Sequence, residues 1–146
     1  MAEKQRVLIL CTGNSARSQM AEGLLRALAG DRFEVESAGV SPSRVRPEAV
    51  EAMREVGADI SGHRSKSADE FTGQDFDYII TVCDNARETC PFFPGRAERI
   101  HRSFEDPPAP GAADRETMMA AFRRVRDEIG AWLREEFIPR PSGGRS

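Results

Sequence analysis

The sequence predicts an α/β fold, a four-stranded parallel sheet flanked by helices, on three observations. Four short apolar stretches, at 7–11, 33–37, 78–83 and around Ile100, have the length and residue types of buried parallel strands. Segments with helical spacing fall between and after them, the alternation expected of a parallel sheet with its ligands beyond the carboxyl ends of the strands. The 146 residues, 39% hydrophobic and 31% charged, suffice for one domain with one core. That domain is expected over 1–138, with 139–146 a disordered tail.

The first helical segment covers 18–29, with Met20, Leu24, Leu25 and Leu28 on one broad face and Gly30 as its stop. A second starts at Pro47, a good first-turn residue, and runs through Val50, Met53 and Val56 to Gly57. Ser67 followed by Glu70 has the spacing of a capping box for a short helix leading to Phe71. Asp114 can cap the last helix, in which Phe122, Val125, Ile129, Trp132 and Leu133 recur at helical spacing until Pro139 ends it. This stripe reads as core. The proline-rich stretch 106–111 excludes regular helix or central strand and reads as an exposed loop.

A net charge of −3 lacks the basic excess of a nucleic-acid or anionic-membrane binder. No apolar run approaches the ~20 residues of a membrane helix, and none near the start forms a signal-peptide core, so a cytoplasmic location is expected. Of 21 basic residues only Lys4 and Lys66 are lysine, a bias read mainly as codon usage. Three cysteines, Cys11, Cys83 and Cys90, are an odd number, which argues against a disulfide framework and leaves burial, metal binding or thiol reactivity. With only His63 and His101 as histidines and no Cys-x2-Cys pair, no metal site is predicted.

The first strand leads through Cys11-Thr12-Gly13-Asn14-Ser15-Ala16-Arg17-Ser18 directly into a helix. A short polar loop in that position can turn successive backbone N–H groups, backed by the helix N-terminus, into one anion-sized cup. Arg17 adds a planar fork matching two oxygens of a tetrahedral oxyanion. The same positive field suits Cys11 to act as a thiolate nucleophile. The alternative is an ordinary buried cysteine at a strand end, and the strand, loop, helix and arginine together favour the nucleophile. Cys83 also admits a reading as the end of a buried strand, the lesser of the two. The polar run 84–89, with two good helix caps at its start, is expected to be a short surface helix or loop carrying Cys90 before Pro91. On residue type alone Asp106 is a solvated loop carboxylate.

The pattern Cys11-x5-Arg17-Ser18 after the first strand resembles the signature of the low-molecular-weight protein tyrosine phosphatase superfamily. Within that superfamily the stretch 11–23 resembles the thiol-coupled arsenate reductases. The likeness extends through Ser37-Ala38-Gly39, Glu51-Ala52-Met53, Thr81-Val82-Cys83, Cys90-Pro91, Asp106-Pro107 and 124–129.

The resemblance implies a low-molecular-weight tyrosine phosphatase-like fold, an oxyanion loop formed by 12–18, and catalytic roles for Cys11, Arg17, Cys83, Cys90 and Asp106. In that scheme Cys11 attacks arsenic(V), Cys83 attacks the Cys11–arsenic adduct and expels arsenite, and Cys90 attacks the Cys11–Cys83 disulfide. Asp106 protonates the departing oxygen. No cofactor is bound; the implied partners are arsenate, with phosphate or sulfate as competing anions, and a thioredoxin-like reductant acting on a monomer. The alternative is hydrolysis of phosphate esters by Cys11, Arg17 and Asp106 alone, against which Pro108 stands where phosphatases of the superfamily carry an aromatic residue. A non-enzymatic oxyanion sensor is disfavoured, since no DNA-reading element is appended. Asn14, Glu22 and Ser37 correspond to the family's monovalent-cation site, but the expected further carboxylate is missing and Lys66 stands near its place. Its ammonium could supply that charge, although an exposed surface lysine is the more ordinary reading.

Overall fold

The computed structural model describes residues 4–83 and 97–140. Four strands, β1 (Gln5–Cys11), β2 (Phe33–Gly39), β3 (Tyr78–Thr81) and β4 (Glu98–His101), form one sheet in the order β2-β1-β3-β4. All three pairings are parallel. β1 is central, and its Val7, Leu8, Ile9 and Leu10 are all fully buried. Successive strand residues face opposite ways, so both faces of the sheet are covered at β1, which explains its unbroken apolar run.

Three α-helices are described, α1 (Arg17–Ala29), α2 (Pro47–Arg54) and α3 (Arg115–Trp132). α1 packs on β1, β2, α2 and α3. Its apolar face matches the expected one except at Leu28, which is 41% exposed. Gly30 follows it without a left-handed turn, at φ −66°. α2 begins at Pro47 as expected and gives way at Arg54, three residues before Gly57, whose φ of +79° reverses the chain. Glu55, at the end of α2, receives Arg123 and Arg126 from α3, and these bonds hold its carboxyl down to about 2.

Two local expectations need correction. The capping box at Ser67 is not formed: Ser67 Oγ accepts from the amide of Asp69, while the Glu70 carboxylate pairs with Arg64 at 2.7 Å. The segment it starts is a single 3-10 turn, Ala68–Phe71. The last helix keeps its Asp114 cap, which accepts from the amide of Thr117. It then changes character before Pro139, closing in a π turn over Leu133–Phe137. The amide of Ile138 reaches five residues back to the carbonyl of Leu133. This wider turn accompanies the insertion of Phe137 into an aromatic cluster, 5.2 Å from the Phe33 ring and 5.1 Å from that of Tyr78.

Pro139 and Arg140, expected in the tail, belong to the described chain, and the carbonyl of Arg140 accepts from Arg32 at 2.7 Å. No helix among the described residues is long and apolar enough to cross a membrane. Phe137 is 1% exposed and joins α3 to both β2 and β3. Phe137→Ala is expected to destabilise the fold by about 3–5 kcal/mol, read from urea unfolding midpoints at constant slope.

Candidate active site

The site starts where β1 stops. Cys11 ends the central strand, and the chain turns through 12–16 before α1 begins at Arg17. Asn14 lies at φ 49°, a left-handed conformation that asparagine tolerates better than most residues. The carbonyls of the loop are taken up from outside. Those of Cys11, Thr12, Gly13 and Ser15 accept from the amides of Val40, Ser41, Ser43 and Arg46 at 2.8–3.1 Å. Ser65 Oγ also donates to the Gly13 carbonyl.

In a trans peptide the next residue's N–H points opposite to the carbonyl, so the amides of Thr12, Gly13, Asn14 and Ala16 face inward. One of these contacts is direct: the Asn14 amide donates to Cys11 Sγ at 3.3 Å. Gly39, at the end of β2, makes the close approach of 40–46 and the loop feasible. A β-carbon there would lie 2.6 Å from the Thr12 carbonyl oxygen and 2.9 Å from the Asn14 amide nitrogen.

Proton directions around Cys11 follow from its buried neighbours. The side-chain amide of Asn14 donates to Ser18 Oγ at 2.7 Å and to Ser37 Oγ at 2.9 Å, and Ser37 donates to Glu22 at 2.6 Å. Ser18 Oγ thus accepts from Asn14 and lies 2.9 Å from Cys11 Sγ, where its hydroxyl can donate once the sulfur is a thiolate. A backbone amide and a hydroxyl thus both face the sulfur, as a nucleophilic thiolate requires.

On its other edge, Asn14 Oδ1 accepts from Gln19 Nε2 and from the Lys66 amide, both at 2.9 Å. Gln19 Oε1 lies 2.9 Å from His63 Nδ1 and can only accept, so Nδ1 carries the hydrogen. The remaining nitrogen, Nε2, stands 3.9 Å from Glu22, whose carboxylate also pairs with Arg26 at 2.9 Å. Burial lowers the His63 pKa, against the pull of Glu22 in the opposite direction.

These bonds test the cation site implied by the resemblance. The oxygens of Asn14, Ser37 and Glu22 are already engaged with one another, Gln19, the Lys66 amide and Arg26, and among the described residues no further carboxylate joins them, so the donor set does not fit a monovalent cation. Lys66 is only 8% exposed, contrary to the ordinary reading of a surface lysine. His101 is engaged elsewhere, with Thr81 Oγ1 at 2.7 Å.

Arg17 projects from the first turn of α1 with its side chain 12% exposed. One terminal nitrogen donates to the Phe104 carbonyl at 3.2 Å, the other stands 3.4 Å from Asp106, and Nε is buried without a partner. A buried unpaired N–H beside inward-facing amides is suited to an oxyanion. Asp106 sits in the irregular loop before Pro107, its side chain 70% exposed and its approach to Arg17 the contact that connects it to the loop. Cys83, two residues beyond β3, is buried, and its Sγ lies 3.3 Å from Thr12 Oγ1. The structure therefore brings Cys11, Arg17, Cys83 and Asp106 around one loop. Cys90 and the polar run 84–89 lie outside the described residues.

Sequence reasoning missed Gln19 and His63 as supports of the loop, weighing His63 only as a metal ligand. No local signal marks them, because Gln19 meets Asn14 five residues away and His63 reaches the loop only through Gln19, 44 residues away in the chain.

Comparison with known proteins gives this geometry a lineage. Residues 6–137 match the family described as low molecular weight phosphotyrosine protein phosphatase. An arsenate reductase of Halalkalibacterium halodurans is 46% identical over 127 residues, covering 87% of this chain and 91% of that one. Among solved structures, an arsenate reductase in its oxidized state superposes with a TM-score of 0.75 at 32% identity, covering 88% of this chain and 93% of that one. A low molecular weight protein tyrosine phosphatase from T. tengcongensis gives 0.71 at 29% identity, covering 90% and 96%.

Because burial lowers the His63 pKa, the unfolded chain takes up a proton at this residue more readily than the folded one. The resulting stability is complete above the unfolded value of about 6.5 and is lost as pH falls through the folded value. His63→Gln removes this proton linkage, so its urea midpoint should fall less than that of the parent between pH 7 and pH 5. Equal acid sensitivity of the two proteins would show that His63 does not contribute.

Proposed function

From the premise that the chain belongs to the low molecular weight phosphotyrosine protein phosphatase family, we propose that it reduces arsenate to arsenite by a relay of three thiols. The observation that carries this reading is the second thiol, Cys83, bonded to the residue that follows the nucleophile, at 3.3 Å from Thr12 Oγ1. Ester hydrolysis has no use for it.

In the proposed sequence, arsenate binds to the inward amides and to Arg17, whose unpaired Nε gains a partner. Cys11 attacks arsenic and forms a sulfur–arsenic bond, while an arsenic–oxygen bond breaks and the oxygen leaves as water with a proton from Asp106. Cys83 as a thiolate then attacks Cys11 Sγ. The sulfur–arsenic pair stays on arsenic, which falls from the pentavalent to the trivalent state as the two sulfurs become a disulfide. Arsenite leaves. Cys90 next attacks Cys83 Sγ and frees Cys11, so that the oxidising equivalent rests on Cys83–Cys90 until an external dithiol of the thioredoxin type removes it. The reading includes a monomer working in the reducing cytoplasm, without a bound cofactor and with phosphate and sulfate as competing anions.

Phosphatase chemistry is the second reading, because Cys11, Arg17 and Asp106 form a hydrolytic set on their own. A thiol count decides between the two. Fully reduced protein mixed with arsenate in the absence of other reductant should lose two thiols per chain as arsenite appears. An unchanged count, with turnover of a chromogenic phosphate ester, would replace the reductase by the phosphatase. Cys83→Ser should abolish arsenate turnover yet retain any hydrolysis of that ester, and parallel loss of both activities would make Cys83 a structural residue.

A further inference from the structure

Arg46 has no part in the reaction scheme, although its side chain is only 12% exposed. It is the residue before α2. Its amide donates to the Ser15 carbonyl of the oxyanion loop, and its own carbonyl accepts from Ala49 and Val50 in the first turn of the helix. The guanidinium crosses to α3, where it lies over the Phe122 ring at 4.9 Å and one nitrogen is 3.5 Å from Met118 Sδ. Nε faces Glu48 at 3.3 Å. The remaining terminal nitrogen donates to the Pro108 carbonyl at 3.1 Å. One residue is thus bonded through its backbone to the loop that holds Cys11 and through its side chain to the loop that holds Asp106.

The Asp106 loop is held on both sides of the acid. Arg17 takes the Phe104 carbonyl, two residues before Asp106, and Arg46 takes the Pro108 carbonyl, two residues after it. Pro107 between them is buried. The carboxylate itself is largely in solvent, so its aim depends on the backbone that carries it. Arg17 cannot serve that backbone alone, because an oxyanion draws on its donors. Arg46 touches no part of the anion cup with its side chain and remains available throughout.

We propose that Arg46 is a positioning residue that aligns the Asp106 loop with the oxyanion loop, so that the acid meets the departing oxygen. The inference rests on the assignment of Asp106 as general acid in the proposed reaction. The position calls for arginine rather than lysine, since a flat fork can lie on Phe122 while donating to both Glu48 and Pro108, and an ammonium cannot.

The test measures thiol loss in a single turnover at saturating arsenate, with inhibition by phosphate as the readout of the anion cup. Arg46→Met keeps the length and apolar contact and removes the donors. It should slow the turnover by at least about tenfold, the order expected for a misplaced catalytic group, with the phosphate inhibition constant unchanged within about twofold. Asp106→Asn should slow it by about a hundredfold. The double variant should be no slower than Asp106→Asn alone, because an aligning residue has nothing left to align, and Arg46→Lys should recover part of the rate.

An Arg46→Met variant as fast as the parent overturns the proposal. So does weakened phosphate binding in proportion to the rate, or multiplicative losses in the double variant. If Arg46→Met does not fold, Arg46→Lys under the same readouts carries the test. Failure of the underlying assignment looks different: Asp106→Asn itself would then be as fast as the parent.

Discussion

Asn14 turns the chain through a left-handed φ of 49°, which asparagine tolerates, and the shape of the loop after Cys11 depends on the bonds of its side chain. Both hydrogens of the Asn14 amide and its oxygen are used, tying the loop to α1 through Ser18 and Gln19, to β2 through Ser37, and to the segment after His63 through the Lys66 amide. The same amide bonds the Ser18 hydroxyl that lies against Cys11 Sγ. Backbone shape and sulfur environment therefore have one origin. Replacing the amide by a carboxylate of similar shape would put an acceptor oxygen where one nitrogen now donates to both Ser18 and Ser37.

The polar cluster is buried, and a buried network is favourable only when nearly every group is paired. Glu22 meets this condition by accepting from Ser37 and pairing with Arg26, while His63 and Gln19 complete the far edge. The sheet supplies the anchor points. The register of β1 with β2 sets Ile9 beside Ser37 and Cys11 beside Gly39, so the hydroxyl that receives Asn14 and the glycine that admits the loop lie on the strand adjoining Cys11. On the other side, the bond from the Val82 amide to the Leu10 carbonyl holds the chain leading to Cys83 against β1.

The strands, the Cys11–Arg17 loop and the Asp114 cap were legible in the sequence because each is written in neighbouring residues: an apolar run, a nucleophile and arginine at fixed spacing, an acid three positions before the amide it accepts. What could not be read depends on partners brought together by folding. Glu70 had the spacing of a capping residue but lay closer to Arg64, and an arginine six residues away competed successfully for the carboxylate. Lys66 looked like a surface residue, yet its backbone amide and carbonyl bond to Asn14 and Gly39, which draws the residue inside. The π turn has no marker in composition, since Leu133 and Phe137 also fit a continuing α-helix. The roles proposed for Cys83 and Asp106 rest on the family resemblance, since residue type alone leaves Asp106 a loop carboxylate and cannot separate Cys83 from a buried strand end.

The proposed anion cup consists of inward-facing amides and one guanidinium, groups that read charge and tetrahedral shape rather than the identity of the central atom. Arsenate and phosphate present the same oxygens to the same donors. In the proposed reaction, discrimination therefore falls after capture, at the step where the central atom must take an electron pair from sulfur. Phosphorus does not do so, and phosphate leaves by the route it entered. Selectivity then lies in rate rather than in affinity, and occupancy by arsenate is governed by its ratio to phosphate in the surrounding medium. A cell using such an enzyme tunes detoxification as much by the phosphate it accumulates as by the protein it makes.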